Sequence, residues 1–182
     1  MLKNKNLKYE IHDDGIAFIN LNNKPVNSLN IDIIEELDKV INDIKKNKKS
    51  RLVIFRSLQK HFSAGADLKE RQKMSSKETK AFLKKVNKIF NNIENLSIPT
   101  IASIHGAALG GGLELALCCD FRIASEGAIL GLPETSLGII PGAGGVFRLS
   151  KLIGLSKSKY WVFTAQKFSS ESAYADGVID FL

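Results

Sequence analysis

Short apolar runs that alternate with amphipathic segments constrain the fold of this chain more than any other feature of its sequence. The run Leu52-Val53-Ile54-Phe55 is continuously apolar, which is typical of a strand covered on both faces. Thr100–Ile104 is a second candidate buried strand, and apolar residues between the two runs show helical spacing. Strands that alternate with helices predict an α/β domain built from layers.

Two long helices are predicted from apolar residues that recur every three or four positions. Asn30 is the predicted N-cap of the first helix. Ser75 and Glu78 form a capping-box pair at the start of the second, and Pro99 is predicted to stop it. The apolar positions are Ile33, Ile34, Leu37, Val40, Ile41 and Ile44 in the first helix, and Phe82, Val86, Ile89, Phe90, Ile93 and Leu96 in the second.

The remaining elements are shorter and are predicted with the help of turn and cap residues. Gly15 in an Asp-Asp-Gly turn predicts a hairpin, Ser156 predicts a helix N-cap, and Gly177 predicts the end of a helix. The predicted strands are Tyr9–His12, Ile16–Leu21, Phe121–Ala124, Ala128–Leu130 and Val178–Phe181, and the predicted helices are Leu113–Cys118, Gly145–Ile153, Ser156–Thr164 and Ser170–Ala175.

The composition predicts one globular domain over residues 1–182. Apolar residues make up 44% of the chain and charged residues 25%, a balance that excludes disordered and fibrous classes. Cys118 and Cys119 are adjacent, so a reducing compartment is favoured over a disulfide framework. No apolar run reaches the ~18–20 residues of a membrane span. The first ten residues, MLKNKNLKYE, show no targeting segment, so the expected location is a cytoplasm or a mitochondrial matrix.

The net charge of +7 is concentrated in the first half of the chain. Residues 1–96 carry 20 basic and 12 acidic side chains, whereas residues 97–182 carry 6 and 7. Such asymmetry suits an anionic partner, although a solvated lysine-rich surface is the simpler explanation. The most basic segment, Lys45-Lys46-Asn47-Lys48-Lys49-Ser50-Arg51, lacks the aromatic side chains that stack on bases. RNA binding is therefore a less favoured alternative.

Several chemistries have no motif in the sequence. There is no G-x-x-x-x-G-K-[ST] phosphate loop, no G-x-G-x-x-G after the first strand, and no G-x-S-x-G nucleophile elbow. His12, His61 and His105 have no metal-ligand spacing to one another or to the cysteines. No metal site is therefore predicted.

Two glutamates stand out because their surroundings are apolar. Glu114 follows Gly110-Gly111-Gly112-Leu113 and precedes further apolar residues, and Glu134 follows Leu132-Pro133. A charged group in such a stretch is costly unless it is paired, lies at a helix start or faces a functional cavity. Either one alone is explained by the helix dipole, but two of them suggest a general acid/base pair.

Two small-residue segments could supply backbone hydrogen-bond donors. Ser63-Ala64-Gly65-Ala66-Asp67 and Gly110-Gly111-Gly112 each lead from a predicted strand into a predicted helix. Small residues let a ligand approach the backbone, and amides at a helix start point outward. Each loop alone is explained as a tight packing turn, whereas two in the same topological position could converge on one oxygen.

Four segments carry a recognisable pattern: His61–Glu70, Gly106–Leu115, Leu132–Glu134 and Pro141–Gly145. In order and spacing they resemble the enoyl-CoA hydratase/isomerase (crotonase) family over nearly the whole chain. Ala64–Lys73 with the following Met74-Ser75-Ser76 is most similar to the methylglutaconyl-CoA hydratase branch, whose animal member also binds AU-rich RNA.

The resemblance implies a fold of repeated ββα turns wound into a spiral, and an acyl-CoA thioester as substrate. By position, the amides of Ala66 and Gly111 hold the thioester oxygen, and Glu114 and Glu134 match the two catalytic glutamates. The positions that match CoA-contacting residues are Lys24, Val26, Ala64, Ala66, Asp67, Leu68 and Lys69. Coenzyme A is part of the substrate, so no separate cofactor is expected.

Members of this family are usually longer than this chain. The resemblance implies that the C-terminal helices that complete a trimer are absent from it, and that the full-length protein is a homotrimer or a dimer of trimers. Hydration of a 2-enoyl-CoA, with 3-methylglutaconyl-CoA among the candidates, is the expected reaction. An enoyl-CoA isomerase, an AU-rich RNA-binding protein and a non-catalytic scaffold of the same fold are the alternatives.

Overall fold

The structure is a computed structural model and describes residues 5–182. The described residues contain ten short strands. They are Leu7–Ile11 (β1), Ile16–Leu21 (β2), Ser28–Leu29 (β3), Leu52–Ser57 (β4), Gly65–Ala66 (β5), Thr100–Ile104 (β6), Ala107–Leu109 (β7), Phe121–Ala124 (β8), Ile129–Gly131 (β9) and Phe168–Ser169 (β10).

The strands form one main sheet and two small ones. The main sheet has the order β1-β2-β4-β6-β8, in which β1 runs antiparallel to β2 and the other neighbours are parallel. A three-stranded sheet has the order β10-β9-β7, and β3 pairs with β5. Each turn of the chain thus adds a strand to the main sheet and a short strand beside it, which confirms the mixed α/β fold expected from the sequence.

Helices connect and cover these sheets. The predicted Asn30 cap of the first helix is confirmed, since its side chain accepts a hydrogen bond from Ile33 N (3.0 Å). The reciprocal capping box of Ser75 and Glu78 is also formed. The helices are Ile31–Lys46 (α1), Leu68–Gln72 (α2), Ser76–Glu94 (α3), Gly111–Ala116 (α4), Gly145–Ile153 (α5), Leu155–Thr164 (α6) and Ser170–Asp176 (α7), with a 3₁₀ helix at Pro133–Leu137.

The apolar faces of the two long helices form much of the core. All six predicted core residues of α1 are buried. In α3, Val86, Ile89, Phe90 and Ile93 are buried and Phe82 is only partly covered, as is Leu96, two residues beyond the end of the helix. Phe82 is partly exposed because it lines a cavity, described below, rather than the core.

The predicted N-cap at Ser156 is wrong. Gly154 ends α5 and also precedes the first residue of α6, Leu155. Its positive φ of 79° turns the chain between the two helices, a conformation that glycine adopts without steric cost. Because the helices abut at this one residue, Ser156 lies inside α6.

The predicted last strand, Val178–Phe181, is also wrong. This segment forms only an isolated bridge between Phe181 and Ile123. The Asp180 carboxylate accepts hydrogen bonds from the backbone N and a guanidinium nitrogen of Arg122 (2.8 and 2.9 Å). A side chain thus takes a backbone donor that a longer strand would use.

Two expectations from composition concern the described part of the chain. Between residues 5 and 182 no helix combines the length and the apolar character needed to cross a membrane. Cys118 and Cys119 are buried free thiols.

A close backbone approach joins two successive turns of the fold. A Cβ atom on Gly112 would lie 2.5 Å from the carbonyl oxygen of Ser63. Ser63 is bound to the same region by two backbone hydrogen bonds, from its N to Ala107 O and from Leu109 N to its O (both 3.0 Å). The first turn of α4 therefore lies directly against the segment that leads into β5.

Gly112→Ala should lower the free energy of unfolding by about 1–3 kcal/mol, because the new methyl group meets a fixed backbone oxygen. Gly111→Ala is the matched control in the same helix, since its methyl group would meet the flexible end of Leu29 at 3.3 Å. Urea unfolding of both variants measures the difference. Equal stability of the two would show that the close approach does not constrain the fold.

Candidate active site

A cavity of about 330 Å³ opens where this approach brings the two turns together. Its wall contains the backbone of Ala64–Ala66 and Gly110–Gly111 and apolar side chains of α3. Two carboxylates, Glu114 and Glu134, reach the same cavity. The two glutamates and the two glycine-containing loops identified from the sequence are thus brought together.

Glu114 lies in α4 and is buried, with 3% of its surface exposed. Its Oε1 atom accepts hydrogen bonds from the backbone N of Ala143 and Gly145, both at 2.8 Å. Burial raises the pKa of Glu114, opposed by these two hydrogen bonds and by the charge of Arg148. One oxygen of this carboxylate is therefore fixed by the backbone of a distant loop.

Glu134 lies in the 3₁₀ helix and is partly buried. Burial, and after it the charge of Glu114, raises the pKa of Glu134 to about 7. Its Oε2 atom is buried and has no hydrogen-bond partner among the described residues. The group is thus poised between its two protonation states near neutral pH, and its buried Oε2 atom is not satisfied by the described residues.

Gly110 allows the Glu134 carboxylate to approach the start of α4. A Cβ atom on Gly110 would lie 2.9 Å from Glu134 Oε1, and its φ of +51° disfavours other residues. Gly110 N in turn donates to Gly131 O (2.9 Å), just before the 3₁₀ helix. The backbone at Gly110 therefore sets the position of Glu134 relative to α4.

The Ala66 and Gly111 backbones adjoin each other at the cavity. A Cβ atom on Gly111 would lie 3.6 Å from Ala66 N, and one on Gly65 would lie 3.2 Å from Gly111 N. Gly111 is the first residue of α4, and within residues 5–182 its N–H donates no hydrogen bond. Ala66 belongs to β5 and stands opposite Leu29 of β3 in register.

The predicted CoA-contacting residues divide into two groups. Ala64, Ala66 and Leu68 line the cavity, whereas Lys24, Val26, Asp67 and Lys69 do not. Lys24 and Lys69 are exposed. Val26 and Asp67 make contacts within the protein instead. Val26 O accepts from Ala64 N (3.0 Å), and the Asp67 side chain caps α2 by accepting from Glu70 N (3.0 Å). Their contact with CoA stays a prediction.

Two parts of the site were missed by the sequence analysis. The loop amides of Ala143 and Gly145 lie within the quoted Pro141–Gly145 segment, but nothing local indicates that they bind Glu114. Arg148 is buried behind them, where it donates to Ala143 O (2.8 Å) and pairs with Glu94 (2.8 Å). The sequence signal that could have revealed this contact is the charged residue Arg148 among the apolar residues of α5.

The sequence raised two other questions, whether the chain has a metal site and whether its basic segment binds RNA. In the described part of the chain no cluster of His, Cys, Asp or Glu residues is arranged to hold a metal ion. The basic segment Lys45–Arg51 begins in the last turn of α1, extends beyond it and does not line the cavity, and Lys45 Nζ donates to Asn92 Oδ1 (2.7 Å). RNA binding by this segment stays a prediction that a salt-dependent gel shift with AU-rich RNA would test.

Glu114→Ala should lower the free energy of unfolding by about 2–4 kcal/mol, because two buried backbone N–H groups lose their acceptor. Glu114→Gln keeps an acceptor oxygen at the same position and should cost about 1 kcal/mol. Urea unfolding at neutral pH distinguishes the two variants. Equal losses would mean that the carboxylate does not hold the Ala143–Gly145 loop.

The pKa of Glu134 predicts a pH-dependent stability. Its folded-state pKa, about 7, is above the ordinary value of 4.5, so its contribution to stability is complete below pH 4.5 and is lost as the pH rises through 7. Glu134→Gln should therefore gain about 1–2 kcal/mol relative to the wild type between pH 5 and pH 8, allowing for partial exposure.

Thermal or urea unfolding at both pH values measures this change. Glu126→Gln, which removes an exposed carboxylate outside the cavity, is the control. A Glu134→Gln variant that follows the pH dependence of the wild type would contradict the assigned shift.

The chain is similar to known proteins over most of its length. Residues 12–182 match the enoyl-CoA hydratase/isomerase family. The chain is 48% identical over 171 residues to the probable mitochondrial enoyl-CoA hydratase 2 of Arabidopsis thaliana (92% of this chain, 56% of the relative). It is 47% identical over 172 residues to the human mitochondrial methylglutaconyl-CoA hydratase (93% and 51%).

A solved structure has the same fold. The enoyl-CoA hydratase of Bacillus anthracis superposes with a TM-score of 0.94 at 40% identity, covering 97% of this chain and 69% of that one. The chain spans about half the length of the curated relatives that it matches. Over that span, the sequence match and the superposed fold indicate the same family, and the chain belongs to the enoyl-CoA hydratase/isomerase (crotonase) family.

Proposed function

We propose that this chain carries the active site of a hydratase that adds water across the double bond of a 2-enoyl-CoA thioester. The observation that carries the proposal is the meeting of two carboxylates of raised pKa with the Gly111 amide in one mainly apolar cavity. The family membership and the hydratase names of its relatives support the same reaction.

The proposed oxyanion hole consists of the Ala66 and Gly111 amides. When an oxygen nucleophile attacks Cβ of an enoyl thioester, negative charge develops on the thioester oxygen. Two fixed N–H donors stabilise that charge more strongly in the transition state than in the ground state. The adjoining backbones at Gly65, Ala66 and Gly111 support this assignment, which requires both N–H groups to point at one oxygen.

The two glutamates are proposed to share the attacking water. Glu114, with one oxygen held by two backbone amides, orients the water and accepts its proton through the other oxygen as hydroxide adds to Cβ. Glu134 delivers a proton to Cα, a role that suits a carboxyl group with a pKa of about 7. An isomerase needs only one carboxylate, so the presence of two favours hydration.

The proposed binding mode places CoA along Lys24, Val26 and the segment Ala64–Lys69. The excess of basic residues before residue 97 suits the phosphates of CoA, and no separate cofactor is proposed. The acyl group is proposed to be short, and 3-methylglutaconyl-CoA is one candidate because a relative bears that name. Assembly as a homotrimer or a dimer of trimers, in a cytoplasm or a mitochondrial matrix, completes the proposal.

Glu114→Gln and Glu134→Gln should each reduce the rate of crotonyl-CoA hydration by about 10²–10⁴-fold in the full-length protein, since each removes one proton-transfer group. Loss of absorbance of the conjugated thioester measures the rate, and circular dichroism verifies folding. Glu126→Gln, an exposed carboxylate outside the cavity, is the matched control. Wild-type rates in both active-site variants would refute the two-carboxylate mechanism.

A further inference from the structure

The position of Glu114 depends on a loop that other parts of the chain must hold in place. Its Oε1 atom accepts from the backbone N of Ala143 and Gly145, both at 2.8 Å. Residues Gly142–Gly144 form a loop that leads into the first turn of α5. The carboxylate can therefore be placed only as accurately as this loop is placed.

Arg148 ties the loop to helix α3. Its Nη1 atom donates to Ala143 O (2.8 Å), its Nε atom to Glu94 Oε2 (2.8 Å) and its Nη2 atom to Asn91 Oδ1 (2.6 Å). All three nitrogens of one planar, buried guanidinium are thus engaged, which fixes its orientation. Burial raises the pKa of Glu114, and the charge of Arg148 opposes this shift together with the two loop amides.

Asn87 ties the same loop to α3 at a second point. Its Nδ2 atom donates to Gly142 O (2.7 Å) and to Leu83 O of its own helix (2.9 Å), so its amide is held from both sides. A Cβ atom on Gly142 would lie 3.0 Å from Leu83 Cδ2, so the loop lies directly on the helix. Asn87, Asn91 and Glu94 are spaced four and three residues apart and therefore share one face of α3.

We infer that Asn87 and Arg148 are positioning residues, which hold the loop Gly142–Gly145 against α3 and thereby hold Glu114 where it can accept a proton from the attacking water. The inference rests on the proposed function. A misplacement of about 1 Å can cost ~10²-fold in rate, so two anchors on adjacent loop residues are mechanistically relevant. The alternative is a purely structural role, in which the ion pair of Arg148 with Glu94 stabilises the fold without acting on one glutamate.

Two reactions of the proposed site depend differently on Glu114. Hydration of crotonyl-CoA requires both glutamates. Exchange of an α-hydrogen of butyryl-CoA for solvent deuterium adds no water and requires only the carboxylate that serves Cα, Glu134. In that exchange Glu134 takes the proton from Cα, the electron pair of the C–H bond moves to the thioester oxygen, and the carboxyl group returns a deuteron after exchange with the solvent. A residue that acts through Glu114 should therefore affect hydration selectively.

Asn87→Ala removes the donor to Gly142 O. In the full-length protein it should lower kcat for crotonyl-CoA hydration by about 10-fold and change KM by less than about twofold, because the lost contact positions a group that acts in the transition state. Arg148→Lys keeps the charge but loses the three-way contact, and it should lower kcat by about 10- to 100-fold. Both variants should retain the wild-type rate of butyryl-CoA exchange, measured by mass spectrometry.

Asn92→Ala is the matched control. It removes another asparagine of α3, whose side chain accepts from Lys45 Nζ and does not line the cavity, and it should change neither rate. Circular dichroism and urea unfolding verify that each variant is folded. Because Arg148 is buried, loss of the fold in its variant would leave the decision to Asn87→Ala, at a partly exposed residue.

A double-mutant cycle tests whether Asn87 acts through Glu114. On the Glu114→Gln background, Asn87→Ala should lower the remaining hydration rate by less than about threefold, since the group that it positions is already lost. Full additivity of the two losses, equal losses of hydration and exchange, or an unchanged kcat in a folded Asn87→Ala variant would each overturn the inference. A wild type that hydrates no enoyl-CoA would refute the proposed function instead.

Discussion

The close packing of one backbone segment on another underlies the whole site. Ser63 and Gly112 belong to successive turns of the fold, and their contact leaves no space for a side chain at Gly112. Backbone hydrogen bonds of Ser63 with Ala107 and Leu109 fix the two segments in register. Without this contact, the backbones of Ala66 and Gly111 would not adjoin at the cavity.

The same geometry brings two carboxylates into a space that disfavours their charge. Burial raises the pKa of both Glu114 and Glu134, and the charge of Glu114 raises the pKa of Glu134 further. The protein offsets part of this cost at Glu114 with two amides and Arg148. Between residues 5 and 182 it supplies no hydrogen-bond partner to Glu134 Oε2, so stability is given up at the group proposed to exchange a proton with substrate.

Local signals in the sequence predicted the long elements, and non-local contacts explain the failures. The Asn30 cap and the Ser75–Glu78 capping box depend on residues three positions apart, so they were visible in the sequence. The junction at Gly154 and the Asp180–Arg122 contact depend on how distant elements pack. The first contact determines where α6 begins, and the second explains why Val178–Phe181 does not form the predicted strand.

The site could be predicted only in part for the same reason. Its glycines and glutamates formed a sequence pattern, and the resemblance gave them roles. The amides that hold Glu114 come from residues 29 and 31 positions away, and no periodicity connects them to it.

The electrostatic coupling of Glu114 and Glu134 has a consequence for successive turnovers. In the proposed reaction one carboxylate gains a proton from water while the other gives a proton to carbon, so the pair ends each cycle with its proton on the opposite member. Before the next substrate reacts, that proton must return. Since burial raises the proton affinity of both groups, the return is less uphill than it would be between a buried and a solvated carboxyl group. The proposed mechanism therefore includes a proton return between the two carboxyl groups within the cavity.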